Sequence, residues 1–451
     1  MTGKTYTSDI VICGAGTAGS VAAIAAADQG KKVILIEQYG IPGGSATLSL
    51  VTPLMRTHIE GNPMCSYISD EINRRAVECG ASVGKGDIWL DPMMLGIILE
   101  EMLLERKVKI LYHTTVVGAE KDGKSIACVN IFNKSGHGRV YAKMFIDCTG
   151  DADLCALLDL PLLHGNEEDG KNQPVSLRYV LGGVDTDRYW AFYSETDTGA
   201  PMPRPVQYSG AVTTNEKWNY PLRPLFFKAV EAGDLVYEDA VYWQFFTIPG
   251  RNDAIAFNCP EFFDLHDADD AENLTYVQLE GKKAIVRQLK FYRKYLPGFE
   301  NAYIAQISPM VGVRESRRAV TDHVITNSEC LAHAQFEDAI CQSNYPVDIH
   351  GRKLNTYEII EDSGKPYYEI PLRALIVKDM DNLLVAGRNL GAEFVAQSSI
   401  RVIPTCRAMG EAAGICAAMA IDEGRKSLHG FDGKLVRNEM AVRGAVFAKE
   451  E

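Results

Sequence analysis

The feature that most constrains the fold of this chain is its opening, "SDIVICGAGTAGSVAAIAAADQGKKVILIEQ". "DIVIC" reads as a short buried strand, and "GAGTAG" follows at once. "SVAAIAAADQG" is an alanine-rich helix with a glycine stop, and "KKVILIE" is a second buried strand ending at Glu37. This order is a βαβ unit built for a dinucleotide. Gly14 allows the tight turn, and Gly16 lets backbone N–H groups approach a pyrophosphate. Gly19 and Ala23 let the helix lie close on the sheet. The helix N-terminus presents free N–H groups and the positive end of its dipole. Glu37, eighteen residues after Gly19, is placed to accept from a ribose 2′-hydroxyl and disfavours a 2′-phosphate. The motif alone does not separate a nicotinamide from a flavin dinucleotide.

At 451 residues the chain is too long for one small core, and length suggests two or three domains. A net charge of −13 argues against a broad nucleic-acid or anionic-membrane surface, because both need clustered Lys and Arg. The eleven cysteines lack C-x-x-C spacing. They read as small buried hydrophobes in a reducing cytoplasm, and neither zinc nor iron–sulfur ligation is expected. The start shows no signal-peptide pattern, and the apolar run 10–27 is broken by its glycines, so no membrane span is expected.

Three further stretches separate the cofactors. "QYGIPGGSATLSL" follows Glu37. "RVYAKMFIDCTGDADL" gives a strand and then Thr149-Gly150-Asp151. "DNLLVAGRNLGAEFVAQSSIRVIPTCRAMGEAAGICAAMA" gives a strand, "AGR", a loop and a long helix of small residues. Together these resemble the FAD-dependent oxidoreductase family, within the group sharing the glutathione-reductase-like FAD fold. The nearest likeness is to a bacterial branch with G-x-R-E-S-R-R and L-L-V-A-G-R … S-x-R-V-x-P-T-C-x-A-x-G-x-A-A-G motifs. The resemblance implies one extended FAD. Gly14, Gly16 and Gly19 would hold its pyrophosphate, Glu37 its AMP ribose, and Gly43, Gly44 and Ser45 its ribityl chain and ring. Val116, on "KILYHTTVV", matches the adenine contact; Thr149, Gly150 and Asp151 match a second contact, and Gly387 and Arg388 a third. A helix starting near Ile403 and Pro404 would aim its N-terminus at the flavin pyrimidine. Proline in a first turn sacrifices no helical hydrogen bond. With "GGSAT" after the second strand, the FAD is expected to be non-covalent.

The expected fold class is α/β. A discontinuous Rossmann-like FAD-binding domain (1–160 and 370–451) carries an inserted α+β substrate or cap domain (161–369). The first part holds a helix near 91–105 and a β-meander over 116–145. The middle is richer in aromatics and prolines and holds one long helix in "AENLTYVQLEGKKAIVRQLKFYRKYLPG". Tyr242 and Trp243 are expected in its core.

An acidic chain also carries a dense basic knot, "VRESRRAV". Read as a strand, it puts Arg314, Ser316 and Arg318 on one face and Glu315 and Arg317 on the other. A buried arginine needs a partner, and Glu315 is one candidate. Either an arginine here faces the flavin cavity, or the knot is a salt-bridged hinge between domains. Other candidates for catalysis are Arg56 and His58, just beyond the flavin-contacting glycines, and Arg401. His58 is a candidate general base because imidazole titrates near neutrality; Arg401 is a candidate anion holder.

The expected function is a cytoplasmic FAD-dependent dehydrogenase or reductase, moving a hydride between a small hydroxylated or carboxylated substrate and flavin N5. Its electron partner is unnamed by the sequence, and a homo-oligomer stays open. The alternatives are an electron-transfer component of a complex, a flavin-dependent tRNA-modifying enzyme and a non-catalytic FAD-binding scaffold.

Overall fold

Ile10–Cys13 is a run of four apolar residues, each fully buried, and such a run needs cover on both faces. It takes the centre of a five-stranded parallel sheet ordered Leu383–Val385, Met144–Asp147, Ile10–Cys13, Val33–Ile36, Lys109–Leu111. The computed structural model describes residues 3–55, 59–61, 63–83, 88–214, 220–265, 267–351, 356–358 and 365–448.

The "MFID" strand joins this sheet rather than extending the meander, because all four of its residues are buried. The meander itself is Thr115–Asp122, Ser125–Asn133 and Gly136–Tyr141, with Thr5–Thr7 at its edge. "KILYHTTVV" is two strands, broken at His113, whose φ of 50° is left-handed and cannot continue an extended chain.

Two helices of small residues, Thr17–Asp28 and Ile403–Asp422, pack against each other. Their approach is set by glycine. A Cβ added at Gly410 would lie 2.2 Å from the Ala18 carbonyl oxygen, and one at Gly414 would lie 2.3 Å from that of Ala22. Backbone therefore rests on backbone. The core beneath also takes in Ile325, Ile340, Tyr368, Ile370 and Leu375.

The middle of the chain builds a second core on a five-stranded antiparallel sheet: Ser209–Thr213, Tyr242–Ile248, Arg251–Phe257, Tyr179–Gly182, Tyr303–Ile307. The 25-residue helix Ala271–Tyr295 lays Val277, Ile285, Phe291 and Tyr292 into this core. Their polar tips are satisfied: the Tyr179 and Tyr292 hydroxyls are 2.6 Å apart, and Trp243 Nε1 donates to Tyr292 at 2.8 Å. Among the described residues no helix is long and apolar enough to cross a membrane.

The basic knot departs from the expected strand. Only Arg317–Ala319 is extended, paired antiparallel with Leu162–His164, and residues 314–316 are a loop. Each side chain finds a partner in a different direction, which two-fold alternation would forbid. Arg314 meets Glu261, and Glu315 accepts from Asn172 at 2.7 Å and from the Gly165 N–H at 3.1 Å. The Ser316 hydroxyl donates to Asp151, Arg317 reaches Asp153 and Asp269, and Arg318 donates to the Gly165 carbonyl. Glu315 is thus the ion partner of Arg318, at 3.6 Å, and not of Arg314.

Replacing Gly410 by Ala should gain helix propensity yet cost stability, since the methyl group would overlap the Ala18 carbonyl. We expect a net loss of about 1–3 kcal/mol in urea unfolding, the usual cost of overpacking. A second test is pH. Burial pushes the Glu411 carboxyl up to about 8; Ser66 Oγ donates to it at 2.6 Å, and its Oε1 has no partner. The folded state thus holds a proton that the unfolded state releases at a lower pH. Stability should therefore fall as pH rises from about 4.5 toward 8. Glu411→Gln should flatten that decline.

Candidate active site

A single cavity of about 830 Å³ runs from the parallel sheet into the middle sheet. Its inner end is lined by Gly14, Gly16 and Glu37, then by Gly44 and Ser45, with Val116 beside them. Thr149, Gly150 and Asp151 line the same end from the Met144–Asp147 strand, and Gly387 and Arg388 from Leu383–Val385. Ile403, Arg314 and Arg401 face the same space. Three sequence candidates stand behind the wall. Gly19 lets its helix rest on the first turn, where a Cβ would lie 1.9 Å from the Gly14 carbonyl oxygen. Gly43 donates its N–H to the Ala15 carbonyl at 2.7 Å, and Pro404 is buried in the first turn of its helix. Arg56 and His58 lie outside the described residues.

The inner end suits an extended phosphate-bearing group. Gly14 turns with φ 92°, and the helices after Gly16 and Val402 start with no side-chain cap, which leaves their N-termini to an outside acceptor. Glu37 is pinned by the Ala15 N–H at 2.8 Å and the Tyr39 N–H at 2.9 Å. Burial raises its carboxyl above the ordinary range, although these bonds oppose the shift. Arg388 is fixed by Asp151 and the Val313 carbonyl, and its buried Nε has no partner.

The outer end is a compact cluster of charges. Arg314 lies 2.8 Å from Glu261 Oε1, and His350 Nδ1 lies 3.0 Å from the same oxygen. His350 Nε2 is 3.3 Å from Asp348 Oδ1, and Arg401 donates to the Asp348 carbonyl at 3.0 Å. The Glu261 contacts are ion contacts rather than aligned hydrogen bonds, since neither of its oxygens has a hydrogen-bond partner. Burial alone would raise the two carboxyls. For Glu261, Arg314 and His350 override it; for Asp348, His350 and Arg401 do, and both end below the ordinary range. Tyr242 stacks edge-on to His350, with ring centroids 4.9 Å apart, and lines the cavity, whereas Trp243 is core as expected.

Arg178 completes the cluster. It is 8% exposed and lines the cavity, and among the described residues no carboxylate is within ion-pair distance of it. Burial, then Arg314, lowers its guanidinium to about 9.

A model of FAD dependent oxidoreductases matches residues 9–440. The chain belongs to the FAD-dependent oxidoreductase family. It is an enzyme, and its cofactor is FAD. Among solved structures, this flavoprotein is similar to a geranylgeranyl bacteriochlorophyll reductase-like protein of Thermoplasma acidophilum. The identity is 14%, the TM-score 0.51, and the match covers 98% of this chain and 85% of that one; it shows the α/β fold alone. It is also similar to p-nitrophenol 4-monooxygenase of Pseudomonas putida, at 11% identity and a TM-score of 0.48 over 97% and 89% of the two chains. A stretch of 47 residues is 51% identical to urocanate reductase of Eggerthella lenta; it spans 10% of this flavoprotein and 8% of that relative's length.

Sequence reasoning missed Arg178, Glu261, Asp348 and His350. Signals existed for three of them. Arg178 is a lone charge in the apolar run "VSLRYVLGG", and "VDIH" sets Asp348 and His350 two apart, on one face of an extended segment.

Glu37→Leu would release the two N–H groups that hold the first turn. We expect FAD to bind about 10- to 100-fold more weakly, the worth of charge-assisted hydrogen bonds. Quenching of flavin fluorescence on titrating apoprotein measures this.

Proposed function

We propose that this flavoprotein oxidises or reduces a small carboxylated or hydroxylated organic molecule whose anionic group is held at the outer end of the cavity. The observation that carries this reading is Arg178, a buried cation facing the cavity with no carboxylate at ion-pair distance among the described residues. Such a group is costly unless an anion joins it. The three arginines exceed the two carboxylates by one positive charge, so a single carboxylate would balance the cluster.

In this reading Gly14, Gly16 and the start of Thr17–Asp28 hold the FAD pyrophosphate, and Glu37 the AMP ribose. Val116 borders the adenine, Gly44 and Ser45 the ribityl chain, and Thr149–Asp151 and Arg388 flank the phosphates. The N-terminus of Ile403–Asp422 faces the flavin ring. FAD, when bound, supplies two-electron chemistry at a carbon–hydrogen bond. The chain's own residues position the other reactant. Arg178 binds the anion, and Arg314 and Arg401, each tied to a carboxylate, frame the pocket and fix its charge. The middle sheet and the 25-residue helix packed on it act as the substrate-facing unit.

Arg178→Met tests the reading. The holoenzyme should keep its flavin spectrum, while its affinity for 2-hydroxy acids or 2-enoates, followed as flavin absorbance changes without oxygen, should fall about 10- to 100-fold. Unchanged affinity would remove Arg178 from the site.

A further inference from the structure

We infer that His350 takes up a proton when an organic anion enters beside Arg178, so that the occupied site carries an imidazolium. This rests on the reading of Arg178 given above. The geometry comes first. Both ring nitrogens of His350 face carboxylate oxygens, Nδ1 toward Glu261 at 3.0 Å and Nε2 toward Asp348 at 3.3 Å. A neutral imidazole has one N–H and one lone pair, so one carboxylate would face a lone pair. Only the doubly protonated ring suits both.

The arginines oppose this when no anion is bound. The groups that face His350 are Glu261 and Asp348, Arg314 on Glu261, Arg401 on Asp348, Tyr242 against the ring, and Arg178 across the cavity. The three arginines outnumber the carboxylates by one. Burial and Arg314 pull the imidazole down, yet Glu261 and Asp348 win and hold it above its usual value. An incoming carboxylate cancels the excess positive charge and raises it further. Above the free enzyme's value the ring is largely neutral and must gain a proton on binding. Well below that value it is already charged and gains nothing. The only bond formed is N–H on the ring, with the proton drawn from solvent.

The experiment is calorimetric titration of the FAD-loaded enzyme with acetate, malonate and benzoate, in buffers that differ in ionisation enthalpy. We expect uptake of up to one proton per anion bound at pH values above the free ring's titration, vanishing toward about pH 5. His350→Gln should still bind the anion but take up no proton, and its affinity should lose the decline with rising pH. Glu261→Gln keeps the imidazole but removes one carboxylate, so its uptake should move to lower pH; it serves if the glutamine at 350 disturbs folding. Binding without buffer dependence, or the same uptake in His350→Gln, would overturn the inference and leave the carboxylate reading intact. Failure of all three carboxylates to bind would instead overturn the carboxylate reading, and this inference with it.

Discussion

Backbone contact between two helices organises this molecule. Where Thr17–Asp28 crosses Ile403–Asp422, the glycines at 410 and 414 remove the side chains that would hold the helices apart. Sixteen residues of the second helix are buried, among them the charged Arg407 and Glu411, which pack toward residues 66–69. The approach brings two uncapped helix N-termini, separated by almost four hundred residues of chain, to the wall of one cavity. A helix terminus acts only within about its first turn. Hence the site exists because the helices touch, and a looser packing would scatter its dipoles.

Charge is handled differently at the two ends. At the inner end Glu37 and Asp147 are buried among backbone N–H groups, which satisfy carboxylates without any cation. At the outer end burial is met by pairing: Arg314 with Glu261, Arg401 with Asp348, and His350 between them. Paired buried charges add little net stability, but they fix geometry, because removing one member strands the other. The first arrangement builds a rigid cradle and the second a field of set sign.

The parts legible in the sequence were those governed by local rules. The turn at Gly14, the buried strands beside it, the 25-residue helix and the proline in the first turn of Ile403–Asp422 follow from φ angles, periodicity and caps. The basic knot was visible as composition but not as geometry. Its partners come from residues 151, 153, 165, 172, 261 and 269, and no local pattern ranks such contacts. Arg178 and His350 were unread for the same reason. Arg178 is a lone charge in an apolar run and His350 one of several charges in a short segment, and charged neighbours of each come from elsewhere in the chain.

The loop at 313–318 touches both ends at once. Val313 and Ser316 hold Arg388 and Asp151 on the cofactor side, while Arg314 holds Glu261 on the other. Arg178 and His350 have no such double attachment. Under substitution the two groups of residues are unequal. Exchange at 178 or 350 would alter the outer end alone, and at 350 it would take a partner from Glu261 and Asp348. A change within 313–318 would disturb both ends of the cavity together, so this loop couples the two halves of the site.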